Sequence, residues 1–362
     1  MRALISRLQL LRDQVRRKLG IMLFDRHRTS QPIDKEQLQH IVFLRTDAKF
    51  GDAFVSSFIF KDIKVHYPNV KLTVVTAPNM RDLFLNHLGA DSVIELKKRP
   101  SYKEITKACI EVGECDLLVS LNLNLKMKDL FFLNQCKAKH IAGLDDSLNA
   151  VDIKLGAATQ ALHFAERFGA LLGEIDVPAN PHHYIIPQTE SSTHCAQAFI
   201  NTHSLLGFCV INAYGSGNAR KLNAHSVEKL VTLVKQDCPE LSIVLISAPD
   251  TFEQTEQMIK EHQLDAIHYN VSKTIFDVAS LIAAAKFVIT VDTAIVHMAS
   301  GLRVPQLAFY NPDPANFNQW HPNSDLAITS MATHCAVPDI NALNWLDVEQ
   351  KLAQLILKNK DI

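Results

Sequence analysis

The sequence lacks most of the features that would settle its class outright. Its seven cysteines (Cys109, Cys115, Cys136, Cys195, Cys209, Cys238 and Cys335) are odd in number and form no C-x-x-C pair. That argues against a disulfide frame or a cysteine zinc site and fits the reduced thiols of a cytosolic protein. The sixteen histidines include no H-E-x-x-H pattern, which removes a zinc-peptidase helix. No stretch approaches the ~20 apolar residues that span a bilayer. The formal net charge is −1, without the basic surplus of a nucleic-acid-binding protein. There is no Walker A loop, no acidic cluster for a divalent ion, no internal repeat and no low-complexity tract. What remains is a chain of 362 residues, 47% hydrophobic, long enough for two domains with cores of their own.

The most informative stretch runs from Phe287 to Tyr310. Phe287 to Val291 is an apolar, β-branched run suited to a strand buried on both faces. Asp292-Thr293 breaks the run and can cap a short helix, Ala294 to Ser300, which Gly301 closes in the left-handed conformation. Leu307 to Tyr310 reads as the next strand, with Pro305 where a strand can begin. In such a parallel sheet ligands bind at the carboxyl ends of the strands, where these polar residues fall. The amino end of the helix offers N–H donors to an anion there. On spacing alone, Asp292 is equally well read as a helix cap and His297 as a satisfied helix residue.

Residues 1–35 form a basic extension. Arg2, Arg7, Arg12, Arg16, Arg17, Lys18, Arg26 and Arg28 oppose only Asp13 and Asp25, a surplus of six positive charges within residues 1–28. Leu4, Leu8, Leu11, Val15, Leu19 and Met22 recur at three and four residues and make one apolar face. No small-residue cleavage site follows, so the segment is not read as a secretory signal. The expectation is a basic amphipathic helix on an anionic inner-leaflet surface. The alternative is a helix packed on the body of the protein. Ser30 to Asp34 reads as a hinge.

Residues 36–177 alternate strands and helices. Ile41 to Leu44 is a strand, Arg45 to Asp52 a turn, Ala53 to Tyr67 a helix and Lys71 to Thr76 a strand, the order of a crossover unit whose turn lines a crevice. Helices over Met80 to Leu88, Tyr102 to Val112 and Met127 to Asn134 then separate strands at Ser92 to Leu96, Leu117 to Ser120 and His140 to Gly143, with a polar turn at Leu121 to Asn124. Asp52 can cap the helix after it, or serve as a crevice carboxylate that takes a proton. Asp47 is its nearest competitor, and Arg45 or Lys49 could hold a diphosphate or an anionic acceptor. An amphipathic helix over Gln160 to Leu172 precedes a linker, Pro178 to His183, stiffened by two prolines.

The second domain, residues 178–345, restarts the alternation. After a helix over His194 to His203 and a strand at Phe208 to Asn212 comes the glycine-rich turn Ala213 to Leu222. Gly215, Arg220 and Lys221 make it a phosphate cradle, or equally a plain surface turn. Helices over Ser226 to Asp237, Thr251 to His262 and Asp277 to Ala285 and a strand at Ser242 to Ser247 follow. Residues 346–362 close the chain, with a helix from Asp347 to Lys358.

Three segments taken together resemble glycosyltransferase family 9, the ADP-heptose:lipopolysaccharide heptosyltransferases. Val291-Asp-Thr-Ala-Ile-Val-His-Met-Ala-Ser-Gly-Leu-Arg-Val-Pro305 is similar to the family's donor signature, with Ala294 where the family has glycine. Ile41-Val-Phe-Leu-Arg-Thr-Asp-Ala-Lys-Phe-Gly-Asp52 is similar to its amino-terminal signature. Asn212 to Leu222 is similar to its Asn-Pro-Gly-Ala segment, with Ala213 for proline. The resemblance implies the α/β GT-B fold, two Rossmann-like domains facing across a cleft. It also implies an inverting, metal-independent transferase that needs no cofactor and moves heptose from ADP-heptose to a hydroxyl of the lipopolysaccharide or lipooligosaccharide core. Asp52 would be general base. Arg220, Lys221 and the helix amino end at Thr293 would neutralise the departing diphosphate, with Gly215 and Ala294 lining the site and Asp292 and His297 positioning the donor. The enzyme would work at the inner face of the bacterial inner membrane. Two other classes remain open: a sugar-nucleotide 2-epimerase-type isomerase, and a catalytically silent nucleotide-sugar-binding scaffold.

Overall fold

The structure, a computed structural model, describes residues 2–26, 32–123, 125–178 and 183–358, with side chains from residue 12 onward. Arg28, the hinge residues Ser30 and Gln31, Asn124 of the polar turn and linker residues Ala179 to His182 lie outside the described residues. The chain divides into two compact units, residues 1–50 with 56–182 and residues 51–55 with 183–362.

The first unit is built on six parallel strands, β1 (His40–Arg45), β2 (Lys71–Thr76), β3 (Ser92–Glu95), β4 (Glu114–Ser120), β5 (Lys137–Gly143) and β6 (Ile153–Lys154), in the order β3-β2-β1-β4-β5-β6. Ile41, Val42, Phe43 and Leu44 of β1 are all buried, so both faces of the sheet are covered, as a parallel sheet requires. On one face Phe43 packs on Phe60 and Phe60 on Phe84, with ring centroids 5.1 and 5.7 Å apart. On the other, Val42, Leu44 and Leu118 meet the helices Tyr102–Val112 and Met127–Gln135.

The first crossover departs from the single helix expected over Ala53 to Tyr67. It is two helices, Phe50–Val55 and Phe58–His66. Asp52 therefore lies in the first turn of a helix that has already begun, and is not the cap of one that starts at Ala53. The segment expected to be helical from Met80 to Leu88 is a 3₁₀ turn at Pro78–Met80 and a wide turn at Leu83–His87.

The amino-terminal helix spans Arg2–Phe24. Its last turns are docked on the first unit. Ile21 and Phe24 pack against the core, the Phe24 and Phe131 rings meet edge-on at 5.2 Å, and Arg17 forms an ion pair with Asp145. Asp25 accepts hydrogen bonds from the backbone N–H groups of Asn149 and Ala150 at 3.0 and 2.8 Å. No helix among the described residues is long and apolar enough to cross a membrane.

The amino-terminal edge of this sheet is tied by carboxylates. Asp116 accepts from the backbone N–H groups of Gln39 and His40, both at 2.8 Å, and pairs with Lys139. Asp91 accepts from the Leu72 N–H at 2.7 Å and pairs with Lys64. Burial raises both carboxyl pKa values, but the opposing hydrogen bonds win and leave each below the ordinary 3.8. Burial, first among its causes, lowers His40 below 6.5. In all three cases the unfolded chain binds more protons, so stability rises with pH. Unfolding in urea should show stability beginning to fall below pH 6.5 as His40 titrates in the unfolded chain. The loss should steepen below 3.8, and Asp116→Asn should flatten that acid limb.

The second unit repeats the plan with β7 (Phe208–Asn212), β8 (Ser242–Ile246), β9 (Ile267–His268), β10 (Val288–Val291), β11 (Gln306–Tyr310) and β12 (Ala327–Met331). The order is β12-β11-β10-β7-β8-β9, again all parallel. Read from β9 it is the order of the first sheet, so each unit is Rossmann-like. The two-Rossmann architecture of the GT-B fold is the one found.

The helix after β10 does not end as the sequence suggests. Gly301 is the last residue of the helix Ala294–Gly301 and is not left-handed; the left-handed residue is Arg303, φ 55°. Glycine stands at 301 for space, because a Cβ there would lie 2.5 Å from Ile186 Cγ1 and 2.9 Å from the Tyr184 carbonyl oxygen. Gly301→Ala should cost about 1–3 kcal/mol by overpacking, read as a lower thermal midpoint. An unchanged midpoint would mean that the Tyr184–Ile186 segment moves aside freely.

Candidate functional site

In a sheet with this strand order the connections leave in opposite directions from the two central strands, and the crevice between them is the ligand position. In the second unit those strands are β7 and β10. β7 ends at Asn212, whose side-chain Nδ2 donates to Thr290 Oγ1 at 2.9 Å and to Thr293 Oγ1 at 3.1 Å. One amide thus ties the ends of both central strands. Thr293 is the cap of the helix Ala294–Gly301, its Oγ1 accepting from the Ile295 N–H at 3.2 Å. Asp292 is not that cap.

Asp292 instead faces the turn that follows β7. Arg220 Nη1 stands 3.2 Å from Asp292 Oδ2, with side-chain exposures of 37% and 10% respectively. Asn316 Nδ2 donates to the same oxygen at 3.0 Å. The turn itself is a closed loop. The Gly215 N–H donates to the Arg220 carbonyl at 2.8 Å, the Leu222 N–H to the Ala213 carbonyl at 2.8 Å, and Gly217 takes φ 84°. A Cβ on Gly215 would lie 2.8 Å from Arg220 Cβ and 3.1 Å from Thr293 Cγ2, so the backbone of the loop approaches the capping residue as only glycine allows. Asn311, just beyond β11, donates to the Ala219 carbonyl at 2.9 Å and holds the loop from the other side.

His297 lies one turn into the helix, buried, its ring 6.1 Å from those of both Tyr184 and Trp320. Tyr310 is fully buried beneath, its hydroxyl donating to the Trp320 carbonyl at 3.0 Å. Burial, and then the negative charge of Asp292, raise the Tyr310 pKa well above 10.0, so the phenol stays a neutral donor. The segment 51–55, which groups with this unit, brings the Gly51 backbone against Ala294. A Cβ on Gly51 would stand 3.2 Å from Ala294 Cα and 3.4 Å from His297 Cδ2. Asp52, the next residue, is half-buried.

Gly215, Arg220, Asp292, Thr293, Ala294 and His297 are thus gathered at one switch point. Lys221 is not with them. It lines a cavity of about 470 Å³ on the flank of the loop, among Asn218, Asn223, Gln254, Gln257 and His262. In the first unit Arg45 ends β1 and is buried, its guanidinium 5.4 Å from the Phe168 ring centroid. It donates to Ser56 Oγ and, through Nε, to Asp47 Oδ2 at 3.3 Å. Ala48 between Asp47 and the exposed Lys49 takes the left-handed φ of 54°. Sequence reasoning missed Asn212, Asn311 and Asn316 as the amides that fix the site. A lone asparagine ending an otherwise apolar strand was the available signal for Asn212.

Chemically the arrangement offers a cation beside a carboxylate, a capped helix amino end and a closed backbone loop. It is the equipment for a phosphate-bearing ligand. No group of three or more His, Cys, Asp or Glu that could hold a metal ion occurs among the described residues.

Comparison with known proteins agrees with this fold. The crystal structure of a glycosyltransferase family 9 protein from Veillonella parvula matches with a TM-score of 0.73 at 16% identity, over 91% of this chain and 99% of that one. The structure of E. coli ADP-heptose lipopolysaccharide heptosyltransferase II matches with a TM-score of 0.66 at 17% identity, over 88% and 99%. An E. coli heptosyltransferase solved with ADP matches with a TM-score of 0.64 at 19% identity, over 88% and 100%. At those identities the likeness is one of fold. The sequence profile of glycosyltransferase family 9 (heptosyltransferase) matches residues 111–346, well over half of the chain. The chain belongs to glycosyltransferase family 9, the heptosyltransferases, and is a glycosyltransferase.

Proposed function

We propose that the enzyme moves heptose from ADP-heptose to a sugar hydroxyl of the lipopolysaccharide or lipooligosaccharide core, with inversion and without a metal ion. The observation that carries this reading is the Arg220–Asp292–Thr293 group at the β7/β10 switch point, inside a chain of the heptosyltransferase family. The relative solved with ADP supports an adenine nucleotide as the leaving group.

In the proposed step the acceptor oxygen attacks the anomeric carbon as the bond from that carbon to the diphosphate oxygen breaks. The acceptor's proton passes to Asp52, and ADP leaves. Negative charge grows on the diphosphate, and Arg220 with the helix amino end at Thr293 is aimed where it grows, the condition for electrostatic stabilisation of a transition state. Asp292 holds the guanidinium, and His297 lies one turn behind the cap to position the sugar. Arg45 and Asp47, locked together, and the exposed Lys49 are on the acceptor side. A lipid-borne acceptor assigns the work to the inner face of the bacterial inner membrane.

The test is ADP release from ADP-heptose with a panel of truncated core acceptors in the presence of EDTA. Release that requires both acceptor and enzyme, unchanged by the chelator, supports the reading. Conversion of the sugar nucleotide without an acceptor would favour the isomerase class. ADP-heptose that binds and is never consumed with any core acceptor would favour the silent scaffold.

A further inference from the structure

We propose that the helix Arg2–Phe24 attaches the protein to an anionic phospholipid bilayer through the face it turns away from its own domain. The inference goes beyond the transfer reaction and holds whatever the donor proves to be. Helical geometry turns about 100° per residue, so Arg17, Gly20, Ile21 and Phe24 share one side. That side is the docked one: a Cβ on Gly20 would lie 2.9 Å from Leu130 Cδ1 and 3.1 Å from Met127 Cα. The ion pair of Arg17 with Asp145 and the Phe24–Phe131 contact lie on the same side.

Val15, Leu19 and Met22 recur on the opposite side, and they are 49%, 43% and 73% exposed. They continue the sequence repeat begun by Leu4, Leu8 and Leu11. A surface helix ordinarily buries its apolar stripe against the body. Here the body takes a different face and the stripe is left in water, with Leu23 exposed at its edge.

The charges say what covers it. Arg12 and Arg16 run along one margin of the stripe and Lys18 along the other, all exposed. Asp13, the helix's acidic residue, is paired with Arg12 at 2.9 Å. An apolar stripe between two cationic margins is the pattern of a helix lying in a bilayer interface. Anionic headgroups meet both margins, whereas a second copy of the helix would bring like charges together along both. Because the last turns are fixed to the helix Met127–Gln135, attachment orients the whole first unit on the surface.

The experiment is co-sedimentation of the full chain with vesicles. One set contains phosphatidylglycerol with phosphatidylethanolamine, the other phosphatidylcholine alone. Wild type should sediment with the anionic vesicles and release as salt is raised. Leu19→Glu with Met22→Glu, both on the exposed face, should lower partitioning by about tenfold or more. Arg16→Glu with Lys18→Glu, which keeps the stripe, should lower it comparably. The proposal is overturned if wild type stays in solution with anionic vesicles, or if either double variant binds as wild type does. It is also overturned if wild type is a dimer that Leu19→Glu with Met22→Glu makes monomeric without a loss of vesicle binding.

Discussion

Asp52→Asn is expected to lower turnover by ~10²–10⁴-fold, the span general-base catalysis contributes, while leaving the affinity for ADP within about threefold, since a general base acts on the acceptor proton and not on the nucleotide. Asparagine keeps the size and one acceptor oxygen of the carboxylate and removes its charge and its basicity. The helix Phe50–Val55 has already begun two residues earlier, so what is lost is a first-turn carboxylate, and stability should change by less than about 1 kcal/mol. Initial rates of ADP release, beside calorimetric titration of ADP, read both quantities. Turnover within about threefold of wild type would remove Asp52 as the base, because a base in use contributes far more. Asp47 is then the next carboxylate to test, although its pairing with Arg45 commits one oxygen already.

The second large effect is expected at Arg220. Removing one donor from an electrostatic site of this type costs about 10²–10³-fold in rate, and Arg220→Met should lower kcat/KM by that order. It also leaves Asp292, whose side chain is 10% exposed, without its cation. A fully buried pair broken in this way costs about 3–5 kcal/mol. With the guanidinium 37% exposed, solvent reduces the cost to about 1–2 kcal/mol. Adding Asp292→Asn to Arg220→Met should restore stability and not turnover, a pattern that a double-mutant cycle in denaturant and in kinetics separates. Lys221→Ala should change kcat/KM by less than about threefold, because that side chain lines the flanking cavity and a cation away from the growing charge gains nothing in the transition state. The reverse ranking of the two cations would move the diphosphate to the other side of the loop.

The strands that carry the site were legible because parallel strands buried on both faces are runs of apolar, β-branched residues. Lys71–Thr76 and Phe208–Asn212 have the bounds the sequence suggests. So has the helix Tyr102–Val112, whose start is fixed by the Ser101/Glu104 capping box and whose end is fixed by Gly113 at φ 73°. Strands β6 and β9 were not legible, since two residues carry no period. Nor was β12, whose residues are mostly half-buried and do not alternate.

At the site, residue types were readable and partnerships were not. Asp292 and Thr293 are both good caps by type. Only the fold shows that Thr293 takes the Ile295 N–H while Asp292 turns to Arg220. Arg220 and Lys221 are adjacent in sequence and point to different surroundings for the same reason. At the amino terminus the apolar repeat was plain, yet the face that docks is marked by Gly20, whose missing side chain lets Leu130 and Met127 close in. Nothing in a hydrophobic pattern scores the absence of a side chain.

The brevity of β6 and β9 bears on how the protein behaves in a crowded cell. An open sheet exposes unpaired N–H and C=O groups along its last strand, a template on which another chain can add. Each of these sheets ends on one side in a strand of two residues, Ile153–Lys154 and Ile267–His268. Lys154 is exposed on the first, and the buried imidazole of His268 on the second is held between Ser247 and Glu256. Two residues offer too short a ladder to nucleate strand addition. The β6 and β9 margins of the two sheets are thereby poor templates for a further strand.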